Sequence, residues 1–109
     1  MTHRYTYILE CFDDSWYTGW AIDLRARISY HRMGYGAVYT KTHGVRKLVC
    51  AFAVADKSTA MKLEYAIKLL TKKKKRELVE NAITNNPDKI LGFDIIKVFS
   101  TESQEYDVT

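Results

Sequence analysis

The feature that most constrains this chain is a pair of apolar stretches only three residues apart. Residues 4–12 (RYTYILECF) and 16–20 (WYTGW) flank Asp13-Asp14-Ser15, and both are rich in the aromatic and aliphatic residues that favour extended chain. The spacing predicts a β-hairpin. Loop parity then decides which side chains share a face. A two-residue turn would pair Phe12 with Ser15 and set Tyr7 and Tyr17 on opposite faces. A three-residue loop pairs Phe12 with Trp16 and brings Tyr7, Leu9, Cys11, Tyr17 and Gly19 together. We read three residues, Asp13–Ser15, in the loop. Both faces of the hairpin are then mostly apolar, as in a sheet covered on two sides.

The rest of the chain supplies the covers. Asp23 is placed to cap a helix over roughly 24–33, ending near Gly34 and Gly36, on which Leu24 and Ile28 form one line and Arg27 and His31, four apart, a second. A basic loop, GYGAVYTKTHGVRK, leads to a third strand, Leu48–Val54. Ser58 is read as the cap of a second long helix with Ala60, Leu63, Ile67 and Leu70 as its buried stripe, and Thr71 as the cap of a further helix, KKKKRELVENAI. Asn85-Asn86-Pro87-Asp88 ends that helix, and residues 89–99 read as one further strand. The order ββαβαα is an α+β arrangement with a small, mainly antiparallel three-stranded sheet flanked by helices and an extra C-terminal strand beside it. We expect the main domain to span 1–84, with 85–109 as a C-terminal extension packed on it or trailing from it.

Composition bounds the function classes. The chain has 109 residues, enough for one core and too few for two, and is 47% hydrophobic and 28% charged. No apolar run approaches a membrane span, and MTHRYTY lacks the apolar stretch of a secretory signal. Cys11 and Cys50 lie in strand-like segments outside any CxxC pair, which reads as buried reduced thiols in a cytoplasmic protein, with a disulfide between them the open alternative. The net charge is +4, with Arg25, Arg27, Arg32, Lys41, Arg46 and Lys47 set against Asp23 alone over residues 23–47, while the last eight residues, ESQEYDVT, are acidic. The basic stretch suits a polyanionic partner.

The polar residues of interest, in chain order, are Tyr7, Tyr17, Arg27, His31 and Glu64. With them the sequence resembles the GIY-YIG nuclease superfamily, in particular its small stand-alone bacterial members. Tyr5-Thr6-Tyr7 stands where the first motif ends, and Tyr17-Thr18-Gly19 is the second motif ten residues later. Arg27 and His31 match the helix pattern, Glu64 lies where the family places its metal-binding glutamate, and Gly36-Ala37-Val38-Tyr39-Thr40 matches the GAxYT segment of the small members. The resemblance covers residues 4 to 80. Tyr5 replaces a glycine of the first motif, and a lysine and an asparagine that some relatives carry are not matched.

The resemblance implies a divalent-metal-dependent endonuclease acting on DNA, and we expect structured or damaged DNA, with branched DNA, single strands and RNA all open as substrate, no membrane association and room for a protein partner. Phosphodiester hydrolysis needs an activated water, neutralised phosphate oxygens and help for the leaving oxygen. In that scheme Glu64 holds one Mg²⁺ or Mn²⁺, which keeps most of its waters. Arg27 presents a planar fork of donors to the phosphate. Tyr7 and Tyr17 orient or deprotonate the water, with the phenol pKa drawn down by Arg27 and the cation, and His31 relays a proton or binds phosphate. Arg27, Tyr39, Lys41, Lys72, Lys73 and Lys74 are the expected nucleic-acid contacts. Each residue also has an ordinary reading: the tyrosines as core with hydroxyls at the sheet rim, Arg27 and His31 as a solvated helix face, Glu64 as the partner of Lys68, the lysine run as an exposed helix start, and Trp16 and Trp20 as packing residues. Two readings from other classes stay open, a nucleic-acid-binding module without efficient catalysis and a scaffold that docks a protein through its C-terminal strand.

Overall fold

A computed structural model describes residues 3–100, so the acidic C-terminal segment lies outside the described residues. The elements are β1 (Arg4–Cys11), β2 (Trp16–Ala21), α1 (Leu24–Arg32), α2 (Val38–His43), β3 (Val45–Val54), α3 (Lys57–Lys68), α4 (Lys72–Asn85), the short strands β4 (Lys89–Ile90) and β5 (Phe93–Asp94), and β6 (Lys97–Ser100). The main sheet is antiparallel in the order β2-β1-β3-β6. The α+β class is thus as expected, and the C-terminal strand is the fourth of the sheet.

The hairpin keeps the expected loop length and shifts its position by one residue. Tyr7 pairs with Gly19, Leu9 with Tyr17 and Glu10 with Trp16. The Cys11 N–H donates to Ser15 O, so the loop is Phe12-Asp13-Asp14 rather than Asp13–Ser15. Asp14 sits at φ 69°, the left-handed residue that closes a three-residue hairpin and that aspartate adopts more readily than most. Because the shift preserves parity, Tyr7 and Tyr17 still share a face.

β3 occupies a central position between β1 and β6, and every residue from Leu48 to Val54 is buried. Its pairing with β1 slips between Ile8 and Leu9 and again between Glu10 and Cys11. Each slip leaves one extra β3 residue, Val49 and then Arg46, and such bulges re-aim side chains. Arg46 consequently reaches back to Glu10 (Nε to Oε2, 2.9 Å) and to Asp14 at the hairpin tip.

Two apolar clusters lie on the sheet. One joins Ile8, Cys50, Phe52 and Val54 to Ala60, Leu63 and Ile67 of α3 and Val79 and Ala82 of α4. The other joins Tyr7, Leu9, Leu48 and Ala51 to Leu24 and Ile28 of α1. The Thr6 hydroxyl donates to Ala60 O at 2.7 Å and pins α3 to β1. Cys11 and Cys50 are buried free thiols.

Several local expectations are corrected by capping and turn chemistry. α3 is capped two residues before the expected Ser58, because the Asp56 carboxylate accepts from Thr59 N and outcompetes the hydroxyl. Leu70 falls beyond the end of α3 and is only half buried. Thr71 caps α4 as expected, and Asn86 ends it in the left-handed conformation (φ 47°, ψ 54°). Residues 89–99 do not form one strand: Leu91 and Gly92, both at positive φ, turn the chain into the β4–β5 hairpin before β6 joins β3. The expected basic loop contains the helix α2, which bears directly on the site.

Candidate active site

Tyr7 lies in the middle of β1 and is 2% exposed, with its hydroxyl 2.7 Å from Nε2 of His31. His31 comes from the last turn of α1. It belongs to the buried line with Leu24 and Ile28, at spacing i, i+4, i+7, rather than to a separate line with Arg27. Arg27 is left exposed at the rim, one turn earlier. The other ring nitrogen of His31, Nδ1, lies 2.7 Å from the hydroxyl of Thr40 on α2, and that hydroxyl in turn donates to Ala37 O at 3.2 Å.

This last bond orients the whole chain of contacts. A carbonyl oxygen only accepts, so the Thr40 proton goes to Ala37 and the hydroxyl must accept from Nδ1–H. Nε2 then carries the free lone pair, and the Tyr7 O–H donates to it. The tautomer of His31 is therefore set by bonding two residues away. Burial and then the Arg27 charge push the His31 pKa down to about 4, so the ring is neutral at pH 7 and able to act as this acceptor. The Tyr7 phenol moves the other way from the expectation. Burial raises its pKa well above the ordinary range, aided by Tyr17 and Glu64, and outweighs the lowering by Arg27.

Two glycines make room for this arrangement. Gly19, opposite Tyr7, has no side chain because a Cβ there would lie 2.5 Å from the Tyr7 hydroxyl and 3.1 Å from Cε2 of Tyr17. Gly36 lies against the imidazole, where a Cβ would sit 2.6 Å from both Cγ and Cε1 of His31. The short segment from 36 to 40 thus contributes the space for the histidine and the hydroxyl that orients it.

Around the buried chain lies a ring of half-exposed groups. Tyr17 packs its ring 5.2 Å from that of His31 and stacks at 6.1 Å on Tyr39, which stacks in turn at 4.1 Å on His43. His43 Nε2 is 3.6 Å from the Asp13 carboxylate, tying α2 to the hairpin tip. From α3, Lys68 places its ammonium 5.8 Å above the Tyr17 ring and bonds Glu64 at 3.2 Å. The Glu64 side chain is 19% exposed, with Oε2 held by Lys68.

The structure therefore brings Tyr7, Tyr17, His31, Tyr39 and Glu64 into one neighbourhood, with Arg27 close enough to act on both Tyr7 and His31. Lys41 is exposed on α2, its stem against Gly34. Lys72, Lys73 and Lys74 are exposed at the start of α4, a helix whose Val79 and Ala82 pack in the cluster on the sheet face opposite Tyr7. Trp16 and Trp20 pack against that same cluster, with Arg76 5.6 Å over the first. Sequence reasoning gave no role to Thr40. The signal was present in the GAVYT segment, where the glycine that touches the histidine and the threonine that holds it are four residues apart.

Two hairpin tyrosines, a helix Arg/His pair and a glutamate on a later helix thus gather around Tyr7 on a sheet covered on both sides. The GIY-YIG catalytic domain model matches residues 3–77, and the chain belongs to the GIY-YIG family. It is 48% identical to the UPF0213 protein BH0048 of Halalkalibacterium halodurans over 77 residues, 71% of this chain and 82% of that protein. To the UPF0213 protein YazA of Bacillus subtilis it is 40% identical over 78 residues, 72% of this chain and 79% of that one. A solution NMR structure of the BH0048 protein aligns with 45% identity over 80% of this chain and 89% of that chain, at a TM-score of 0.49. Among the described residues no helix is long and apolar enough to cross a membrane.

Proposed function

We propose that this protein is a divalent-metal-dependent endonuclease that hydrolyses phosphodiester bonds in DNA. The observation that carries the reading is the buried, oriented chain from the Tyr7 hydroxyl through His31 to Thr40. A core tyrosine needs one partner for its hydroxyl. Here the partner is a neutral imidazole that accepts the O–H bond, so the phenol's proton is committed and its oxygen is left to accept a further hydrogen bond.

The chemistry follows from the pKa directions. A phenol held above its ordinary range is a poor base by itself, because it does not ionise at neutral pH. Tyr7 instead acts through its oxygen, which accepts a hydrogen bond from the attacking water and orients it while its own proton stays on the bond to Nε2 of His31. Tyr17, half-buried beside the same imidazole, orients the water, and Arg27 at the rim holds the phosphate oxygens. Tyr39, stacked on Tyr17, and Lys41, exposed on the same helix, contact the strand. The lysines Lys72–Lys74, on the far face, hold backbone that wraps past the sheet edge.

Glu64 is the residue that would hold the ion. It offers a hard carboxylate on a partly exposed side chain, one oxygen of which bonds Lys68, and no group of three or more His, Cys, Asp or Glu gathers among the described residues. A single carboxylate suits Mg²⁺ or Mn²⁺, which keep several waters. When bound, such an ion supplies positive charge to the phosphate and the leaving oxygen. The two buried thiols fit a reducing compartment, and we assign the protein to the cytoplasm.

Cleavage of nicked, branched and single-stranded DNA with Mg²⁺ or Mn²⁺ tests the reading. Glu64→Ala is expected to lower the rate by at least about 10²–10³-fold, the scale of removing one preorganised electrostatic contact. Cleavage at the parent rate by Glu64→Ala overturns the site assignment. Salt-dependent binding with no metal-dependent cleavage of any substrate leaves the nucleic-acid-binding module instead.

A further inference from the structure

Where β2 ends and α1 begins, Trp20, Ile22, Asp23, Ala26, Arg27 and Tyr30 enclose a cavity of about 290 Å³. It is set along β2, the edge strand of the sheet, so it opens outward rather than into the core. Its walls are mainly apolar. Ile22 and Tyr30 are 59% and 53% exposed and belong to neither apolar cluster, so their faces are accessible along the cavity. The Tyr30 ring is steadied by an edge-on contact with Tyr35 at 6.1 Å. Neither the hydrolytic chain nor the packing of the sheet uses this space.

Arg27 belongs to both places. It lines the cavity, and its charge acts on Tyr7 and His31. A ligand that sets an anion on Arg27 and a flat apolar ring in the cavity is a nucleotide, with phosphate and base on one unit. Asp23 adds a polar mark: one carboxylate oxygen accepts from Ala26 N, leaving the other to accept from an exocyclic amino group. The volume lies at the lower end of the roughly 300–1,000 Å³ of small-molecule sites, room for one ring system.

We infer that the cavity receives an unpaired nucleobase next to the phosphate held by Arg27, with Tyr30 as its stacking platform. The inference rests on the nuclease reading and narrows its substrate class. A base inside a duplex stack cannot enter such a cavity without being extruded, and that cost is least for a base already unpaired. The substrate is therefore DNA with an unpaired nucleotide at the cut, such as a single-stranded arm or a mismatch.

The test is an abasic scan: full-length protein in EDTA, so that no cleavage occurs, binding a duplex with a single-stranded arm in which each arm nucleotide is made abasic in turn. One position is expected to lose about tenfold in affinity, within the range that stacking one base on an aromatic ring contributes. Tyr30→Ala should lose the same factor on the armed DNA, lose none on plain duplex and abolish the abasic effect, while Tyr30→Phe keeps parental behaviour. A thermal melt of each variant checks folding. A flat scan, or an equal loss by Tyr30→Ala on both DNAs, overturns the inference. A dimer in sedimentation that Tyr30→Ala dissolves assigns the cavity to a second copy and also overturns it. Failure to bind any nucleic acid removes this inference and the nuclease reading together. The abasic pattern without cleavage under Mg²⁺ or Mn²⁺ removes only the nuclease reading.

Discussion

On the side of the sheet covered by α3 and α4, the buried cluster around Ile8, Phe52, Leu63 and Ile67 is closed by apolar contact, and its buried neighbour Thr6 commits its hydroxyl to the Ala60 carbonyl. The side covered by α1 and α2 buries Tyr7, His31 and Thr40 just as deeply, and joins them by directional bonds. Apolar contact is graded by volume and area. A buried polar chain is worth little when complete and costs much when one member is missing. The first side should therefore hold most of the stability and the second most of the chemistry.

The sharpest way to break this division is to truncate each side. Phe52→Ala, at a fully buried site in the apolar cluster, is expected to cost about 3–5 kcal/mol in denaturant unfolding, and any folded fraction should retain the catalytic geometry. Acid offers a second, gentler probe. Unfolded His31 takes up its proton near 6.5 while the folded protein holds it off to about 4, so protons favour the unfolded chain between those values. Stability should fall by about 3 kcal/mol as the pH drops across that window and fall no further on this account below it. His31→Gln should flatten the upper part of that profile, above the range in which the depressed carboxyls of Glu10, Asp13 and Asp56 begin to protonate. Unchanged acid sensitivity in His31→Gln would show that another group carries it. The smallest expected effect on stability, with a large one on rate, comes from Tyr7→Phe. Losing the hydroxyl leaves Nε2 of His31 unpartnered at about 1–3 kcal/mol, and DNA cleavage is expected to slow by about 10²–10⁴-fold.

These two sides were not equally legible in the sequence. The apolar side follows from periodicity: Ala60, Leu63 and Ile67 recur at helical spacing and are buried as that spacing implies. The hairpin was read with the right parity and the wrong turn, because a sliding three-residue loop keeps every side chain on its face while only Asp14's left-handed backbone settles its place. The polar side was legible in its residue types and not in their division. Arg27 and His31 sit four apart and look equivalent, yet α1 rotates one into the core and leaves the other at the rim. Thr40 escaped notice because a six-residue helix preceded by glycines has no periodicity to reveal it. The direction of the Tyr7 pKa was also out of reach, since it depends on how much burial outweighs a neighbouring cation, a three-dimensional quantity.

The bond from Thr40 to the Ala37 carbonyl has one more consequence. A string of hydroxyl and imidazole groups open at both ends can pass a proton through and recover by turning every bond around. This string cannot turn around, because its last member is a carbonyl that never donates. The His31 proton therefore stays on Nδ1 and the Tyr7 proton stays aimed at Nε2, whatever group meets the Tyr7 oxygen.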